Sequence, residues 1–286
     1  MENEVTALSK LSHPNVIRIL DEDLKSGWFV TEFYGGDPLS KSLTRFRGNF
    51  CAALAALRPV VDAVAQMHTQ GLVHRDIKPE NIFLDQTGNL ILADLGLVYF
   101  EDDKRTRVTD TFENVGSRDW MPGWAMGMRI EDIRPTFDVF CLGKVLWAMV
   151  AGTPRLRLWY HHDPEFELEE KFPKKTDIRW ARKILDRCIV EKEEQCLPSA
   201  VDLLLMIDAV LPVIELHAQV VSKGVERICT VCGQGQYLSV EEDSPNTMQN
   251  FNLTPTGQTK FLVYCCSNCG HVQTFCLPTG KRPAWN

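Results

Sequence analysis

Uninterrupted apolar runs are short in this chain. None approaches the roughly 20 residues that a helix needs to cross a bilayer, and the longest candidate, Val139 to Ala151, is broken by Lys144. The first ten residues, MENEVTALSK, are acidic and lack the apolar core of a signal peptide. Both observations argue against a membrane protein and lead to the expectation of a cytoplasmic one. Positive charge is also scarce: 31 Lys and Arg stand against 38 Asp and Glu, for a net charge of −7. That balance argues against a protein whose whole surface binds nucleic acid. Over most of the length cysteine is sparse as well. Of ten cysteines, only Cys51, Cys141, Cys188 and Cys196 precede residue 228, each alone among apolar residues, and the other six follow it. A disulfide scaffold distributes its cysteines more evenly, so the pattern marks two regions.

The 286 residues suffice for one large or two modest domains. Apolar spacing predicts a helix over Met1–Leu11, ended by Pro14, and short strands at Val16–Leu20 and Trp28–Phe33 around Gly27. Helices follow at Leu39–Phe46 and Ala52–Thr69, the second apolar enough to be central. A hairpin is expected from Ile82–Leu84 and Leu90–Ala93 about the turn Asp85–Asn89. Tyr99–Pro135 reads as a long polar loop of the kind that is usually functional. Helical patterns return at Asp138–Val150, Asp177–Val190 and Ser199–Leu211, so a small mixed part gives way to a mostly helical one.

Between apolar runs lies LVHRDIKPENIFLDQTGNLILADLG, residues 72–96. His74-Arg75-Asp76-Ile77-Lys78-Pro79-Glu80-Asn81, with Asp94-Leu95-Gly96 eighteen positions after Asp76, resembles the catalytic loop and magnesium turn of protein kinases. The resemblance covers about residues 1–215. It implies an α+β, protein-kinase-like fold with an incomplete N-lobe and a helical C-lobe, a domain over 1–217 divided into lobes at 1–34 and 35–217. It also implies a serine/threonine protein kinase that transfers the ATP γ-phosphate to hydroxyls of protein substrates.

The chemistry accounts for the residue types. Phosphoryl transfer is catalysed by positioning and by neutralising phosphate charge. By the resemblance, Asp76 takes the hydroxyl proton and Lys78 contacts the moving phosphate; Asn81 and Asp94 hold magnesium, a hard ion that favours oxygen. Thr31 resembles the gatekeeper, and Glu32-Phe33-Tyr34 the hinge; Glu32, Tyr34 and Phe83 are the expected nucleotide contacts. Asp138 resembles the buried aspartate that anchors the catalytic loop, and His74 is expected to pack under Leu95 rather than act as a base. Glu4 falls where the regulatory-helix glutamate stands. The glycine-rich loop and third-strand lysine have no counterpart, which gives the expectation of an N-terminally truncated domain. A kinase-like scaffold without activity is the alternative reading. Pro122-Gly123-Trp124 occupies the place of the usual Ala-Pro-Glu, so Arg187, the usual partner of that glutamate, must pair elsewhere or reach solvent. Arg75 is the residue type that pairs with an activation-loop phosphate, for which Thr106, Thr109 and Thr111 are acceptors.

Cys229-Thr230-Val231-Cys232-Gly233 and Cys266-Ser267-Asn268-Cys269-Gly270 form two CxxCG knuckles. Such thiolates can supply four ligands to one structural Zn2+. Residues 218–286 resemble a small β-rich zinc ribbon, with Cys265 a substitute for Cys266 and Cys276 and His271 as further alternates. From Ala218 onward five basic and four acidic residues nearly balance. Tyr237, Phe261, Tyr264 and Phe275 read as ribbon core, so a protein partner is expected in preference to nucleic acid.

Overall fold

The computed structural model describes residues 11–23, 25–95, 99–100, 120–129, 132–175, 177–222, 231–232, 237–239, 261–266, 269 and 271–276. The contacts divide the chain into two units, Met1–Leu216 and His217–Asn286. The expected helix at Met1–Leu11 lies outside the described residues except for Leu11, which is buried.

In the first unit, β1 (Ile19–Asp23) and β2 (Trp28–Thr31) pair antiparallel. Gly27, at φ 75°, makes the turn between them, a conformation that costs a residue without Cβ little. β1 starts three residues later than the apolar pattern suggested. The reason is that Val16 belongs elsewhere: it bridges Leu92 in parallel, and backbone bonds Ile17 N–H to Leu92 O and Leu92 N–H to Asn15 O, both 2.8 Å, fix that seam. Leu39–Phe46 divides into helix α1 (Leu39–Ser42) and a 3₁₀ turn, Leu43–Phe46.

Helix α2 (Phe50–Thr69) starts two residues before the expected position because two side chains satisfy its first amides. Asn49 accepts from Ala52 N–H at 3.0 Å, and Asp177 accepts from Cys51 N–H at 3.1 Å. Leu54, Leu57, Val61, Val64 and Met67 recur at helical spacing and are buried. Each fully buried side chain of this size contributes about 1.5–3 kcal/mol. α2 and the stretch Glu193–Glu215 do have the length and apolar content of bilayer spans. Counting uninterrupted apolar residues missed this, because isolated polar residues lower mean hydropathy little. In α2 the apolar content serves the interior, where Phe50, Leu54, Leu57, Val60, Val61, Val64 and Met67 are buried.

β3 (Leu72–Val73) follows and pairs with β6 (Tyr99–Phe100), a short strand where only loop was expected. β4 (Ile82–Leu84) and β5 (Leu90–Leu92) form the expected hairpin. Its turn is held by Asp85, whose carboxylate accepts from Thr87 N–H and Asn89 N–H, each at 2.8 Å. Partial loss of hydration opposes the charge on Asp85, but the hydrogen bonds from Thr87 and Asn89 win and hold its pKa at about 2.

All sixteen residues of α3 (Thr136–Ala151) are buried, Lys144 among them. That lysine lies 5.7 Å from the Trp120 ring and 5.8 Å from the Phe140 ring, so its charge meets aromatic faces. After α4 (Leu168–Lys171) comes α5 (Ala181–Cys188), preceded by a 3₁₀ turn at Ile178–Trp180. α5 packs so closely on α3 that a Cβ at Gly143 would stand 2.5 Å from the Cys188 Cβ. α6 (Ala200–Ser222) runs well past Leu211, with Pro212 inside it. A proline removes one amide donor, and the apolar sequence on both sides sustains the helix across that loss.

The second unit contains an antiparallel sheet in the order β7 (Tyr237–Ser239), β8 (Phe261–Cys266), β9 (Val272–Cys276).

Candidate functional site

The polar cluster hangs from β3 and returns through a 3₁₀ turn, Pro79–Asn81, into β4. Its anchor comes from the start of α3. One oxygen of Asp138 accepts from His74 N–H at 2.7 Å, and the other from Arg75 N–H at 2.8 Å. The first oxygen also receives His68 Nε2 at 3.0 Å. Ala200 N–H donates to His68 Nδ1 at 3.0 Å, so the ring's proton sits on Nε2 and points at Asp138. One stretch of backbone and two helices thus meet on one buried carboxylate, with the expected anchoring by Asp138 and an added participant, His68. With two backbone donors bound on one short stretch, Arg75 takes φ 70°, left-handed for a residue with a side chain.

Beyond this anchor, Asp76, Lys78 and Asn81 converge. Lys78 Nζ lies 2.8 and 2.7 Å from the two Asp76 oxygens. Asn81 Nδ2 donates to the Asp76 carboxylate at 2.7 Å and to its backbone carbonyl at 2.9 Å. Asp76 and Lys78 are mostly buried, 12% and 18% exposed, enough to leave the carboxylate within reach of a ligand. Asn81 O accepts from Ala93 N–H at 2.9 Å, which ties the loop to the turn carrying Asp94. Asp94 itself is exposed and at φ 60°. Two neighbouring non-glycine residues of the site in left-handed backbone are what a surrounding structure holds only when it over-determines them.

His74 is fully buried and does not face the opening. Its Nε2 lies 3.2 Å from Ala93 O and its Nδ1 receives Asp76 N–H at 3.3 Å, which fixes a neutral tautomer with the proton on Nε2. Burial holds its pKa below the ordinary value, against the pull of Asp138, Asp76 and Asp94. At Asp138 burial alone would push the pKa up; the bond from His68 and the adjoining donors outweigh it, and the pKa is lowered. Both shifts make the fold acid-sensitive. Below the unfolded histidine value of 6.5 the unfolded chain takes up a proton that His74 in the fold refuses, so stability falls as pH drops through that value. The Asp138 contribution is present above 3.8 and is lost as pH falls through the lower folded value. The urea midpoint is expected to decline from pH 7 to 5 and to decline less in His74→Gln; equal slopes would refute the assignment.

Of the expected nucleotide contacts, Glu32 and Tyr34 lie together: Tyr34 Oη donates to Glu32 at 3.3 Å, and Arg18 stands 3.7 Å from the same carboxylate. Burial and the Glu32 charge raise the Tyr34 pKa. Phe83 is partly buried on β4 and bridges Pro38. Gly36 passes so close to Leu84 O that a Cβ there would collide with it. Glu4, Thr106, Thr109, Thr111 and Cys229 lie outside the described residues. Arg187 takes the second course open to it, since it is exposed to solvent. In the position of the usual glutamate, Trp124 packs edge-on to Phe137 and Phe140, each at 6.5 Å.

Comparison with known proteins bears on this constellation directly. A family model described as the protein kinase domain matches residues 1–207. The serine/threonine-protein kinase KIN4 of Saccharomyces cerevisiae is 35% identical over 159 residues, 52% of this chain and 19% of the relative. A probable serine/threonine-protein kinase of Corynebacterium efficiens is 31% identical over 160 residues, 53% and 24% of the two chains. CBL-interacting protein kinase 22 of Oryza sativa subsp. japonica is 35% identical over 161 residues, 53% and 36%. The matched region spans 36% or less of each of these relatives. With the family model matched over most of its length and the anchored polar loop at its centre, the chain belongs to the protein kinase family and has its mixed α/β, kinase-like fold.

Proposed function

We propose that this chain is a serine/threonine protein kinase that moves the γ-phosphate of ATP onto Ser or Thr hydroxyls of protein substrates. The observation that carries the reading is the convergence of Lys78 and Asn81 on the Asp76 carboxylate, at 2.7 Å each, over an anchored loop. Asp76 would accept the hydroxyl proton, and Lys78 would turn from Asp76 to the transferred phosphate when substrate is bound. Asn81 and Asp94 offer oxygen to Mg2+, which neutralises phosphate charge during transfer. Glu32, Tyr34 and Phe83 would flank the nucleotide base, and Glu4 would serve the regulatory helix. Magnesium-dependent transfer of labelled γ-phosphate to a Ser/Thr protein substrate, abolished by Asp94→Ala, is the expected result. Transfer that survives Asp94→Ala would overturn it, and absence of ATP binding would favour a scaffold.

The second unit is read as a zinc ribbon that docks a protein partner. Supporting this, the register opposes Tyr237 to Cys266, so the start of β7 and the end of β8, where Cys266 stands, lie at the same end of the sheet. Cys229, Cys232, Cys266 and Cys269 would hold Zn2+ by four thiolates, a closed structural set. Cobalt added to the metal-stripped chain is expected to give strong thiolate charge-transfer absorption that Cys232→Ser and Cys269→Ser each diminish. An unchanged spectrum would remove the ribbon.

A further inference from the structure

His161, His162 and Asp186 form a cluster in the first unit that the phosphoryl-transfer reading does not use. His161 Nδ1 lies 3.0 Å from Trp159 O, and a carbonyl can only accept, so Nδ1 carries a proton. His162 Nδ1 faces the Glu167 carboxylate at 3.5 Å. The inner nitrogens of both rings face one atom. His161 Nε2 and His162 Nε2 each stand 2.9 Å from Asp186 Oδ1. Two imidazole nitrogens and a carboxylate oxygen are ligand types of a zinc-class site.

A metal ion can engage all three groups at once. The three ligand atoms lie within 4.8 Å of one another. Around a tetrahedral zinc with bonds of about 2.0 Å, ligand atoms stand roughly 3.3 Å apart, so the two 2.9 Å separations from Asp186 would widen by about 0.4 Å and the third, bounded by 4.8 Å, would close by at most about 1.5 Å. The surroundings have the form of a metal site too: histidine ligands characteristically donate their outer N–H to a carbonyl or a carboxylate, as Trp159 O and Glu167 permit here. Glu167 is itself held by Arg182 at 2.7 Å. His161 is 6% exposed and fixed, while His162 and Asp186, at 49% and 42%, leave the solvent side open.

We infer that His161 Nε2, His162 Nε2 and Asp186 bind a divalent transition-metal ion of the zinc class, with water completing its coordination. Imidazole and carboxylate together suit zinc better than magnesium or calcium, which prefer all-oxygen sites. The ion would fasten the segment 159–162 to α5. Since the Trp159 ring lies where a Cβ at Gly123 would meet it at 2.5 Å, that fastening also fixes the wall against which Pro122-Gly123-Trp124 rests.

The test uses the full chain, stripped by chelator, and Zn2+ or Co2+ alone as probe. Wild type is expected to take up one more zinc per chain than His162→Ala or Asp186→Asn, with all three giving the same circular dichroism. The wild-type-minus-variant cobalt spectrum should show weak visible bands and no thiolate charge transfer, which separates this site from the cysteine knuckles whatever their fate. Equal stoichiometry in all three chains, as proton sharing alone would give, overturns the site; so does a difference spectrum carrying the thiolate band. His162, half exposed, keeps the test decisive should the Asp186 variant misfold.

Discussion

Replacing Asp138 with alanine is expected to cost the first unit about 3–5 kcal/mol, the range for removing one partner of a buried charged cluster. The carboxylate is fully buried and takes three donors, His74 N–H, Arg75 N–H and His68 Nε2–H. Alanine would strand all three away from water, and each stranded donor carries its own desolvation cost. Asp138→Asn separates charge from geometry. Its amide oxygen can still accept, but its NH2 would face a backbone N–H, so an intermediate loss is expected. Urea denaturation read by linear extrapolation measures both. A loss under about 1 kcal/mol for Asp138→Ala would mean that water or another acceptor replaces the carboxylate. The same substitution releases the loop bearing Asp76, so activity should fall with stability and not recover at low temperature.

The difference between what sequence reading reached and what it missed follows from sequence distance. Asp76, Lys78 and Asn81 lie within six residues, and their chemistry demands fixed types at fixed spacing, so they were recognisable along the chain. The partnership of His68 with Asp138 spans seventy residues and depends on how α2 and α3 cross. Nothing local to His68 announces it, although its place on the last turn of an apolar helix, six residues before His74, was a signal. The left-handed backbone at Arg75 and Asp94 was hidden for a related reason: neither is glycine, and tertiary contacts impose the conformation. His161 and His162 are adjacent, yet their convergence on Asp186 requires the loop before α4 to meet α5. Elements set by one strong periodicity, such as α2, α3 and the β4–β5 hairpin, were legible to within two residues. α6 was not: the apolar pattern was read as ending at Leu211, and the helix continues through Pro212 to Ser222.

Asp76→Asn is expected to lower kcat by about 10²–10⁴-fold while leaving the KM for ATP nearly unchanged, since a general base acts in the transition state and not in nucleotide binding. The amide keeps the shape of the carboxylate and can hold Asn81, so a structural loss is not the cause; the urea midpoint serves as control. Lys78→Ala should also act mainly on kcat, by about 10²–10³-fold, because its charge matters most where negative charge develops. The two residues are not independent. Lys78 Nζ touches both Asp76 oxygens, at 2.8 and 2.7 Å, so each substitution also frees the other group from its ion pair. The double variant should therefore lose much less than the product of the two single effects. Multiplicative losses would show that the pair acts as two separate groups.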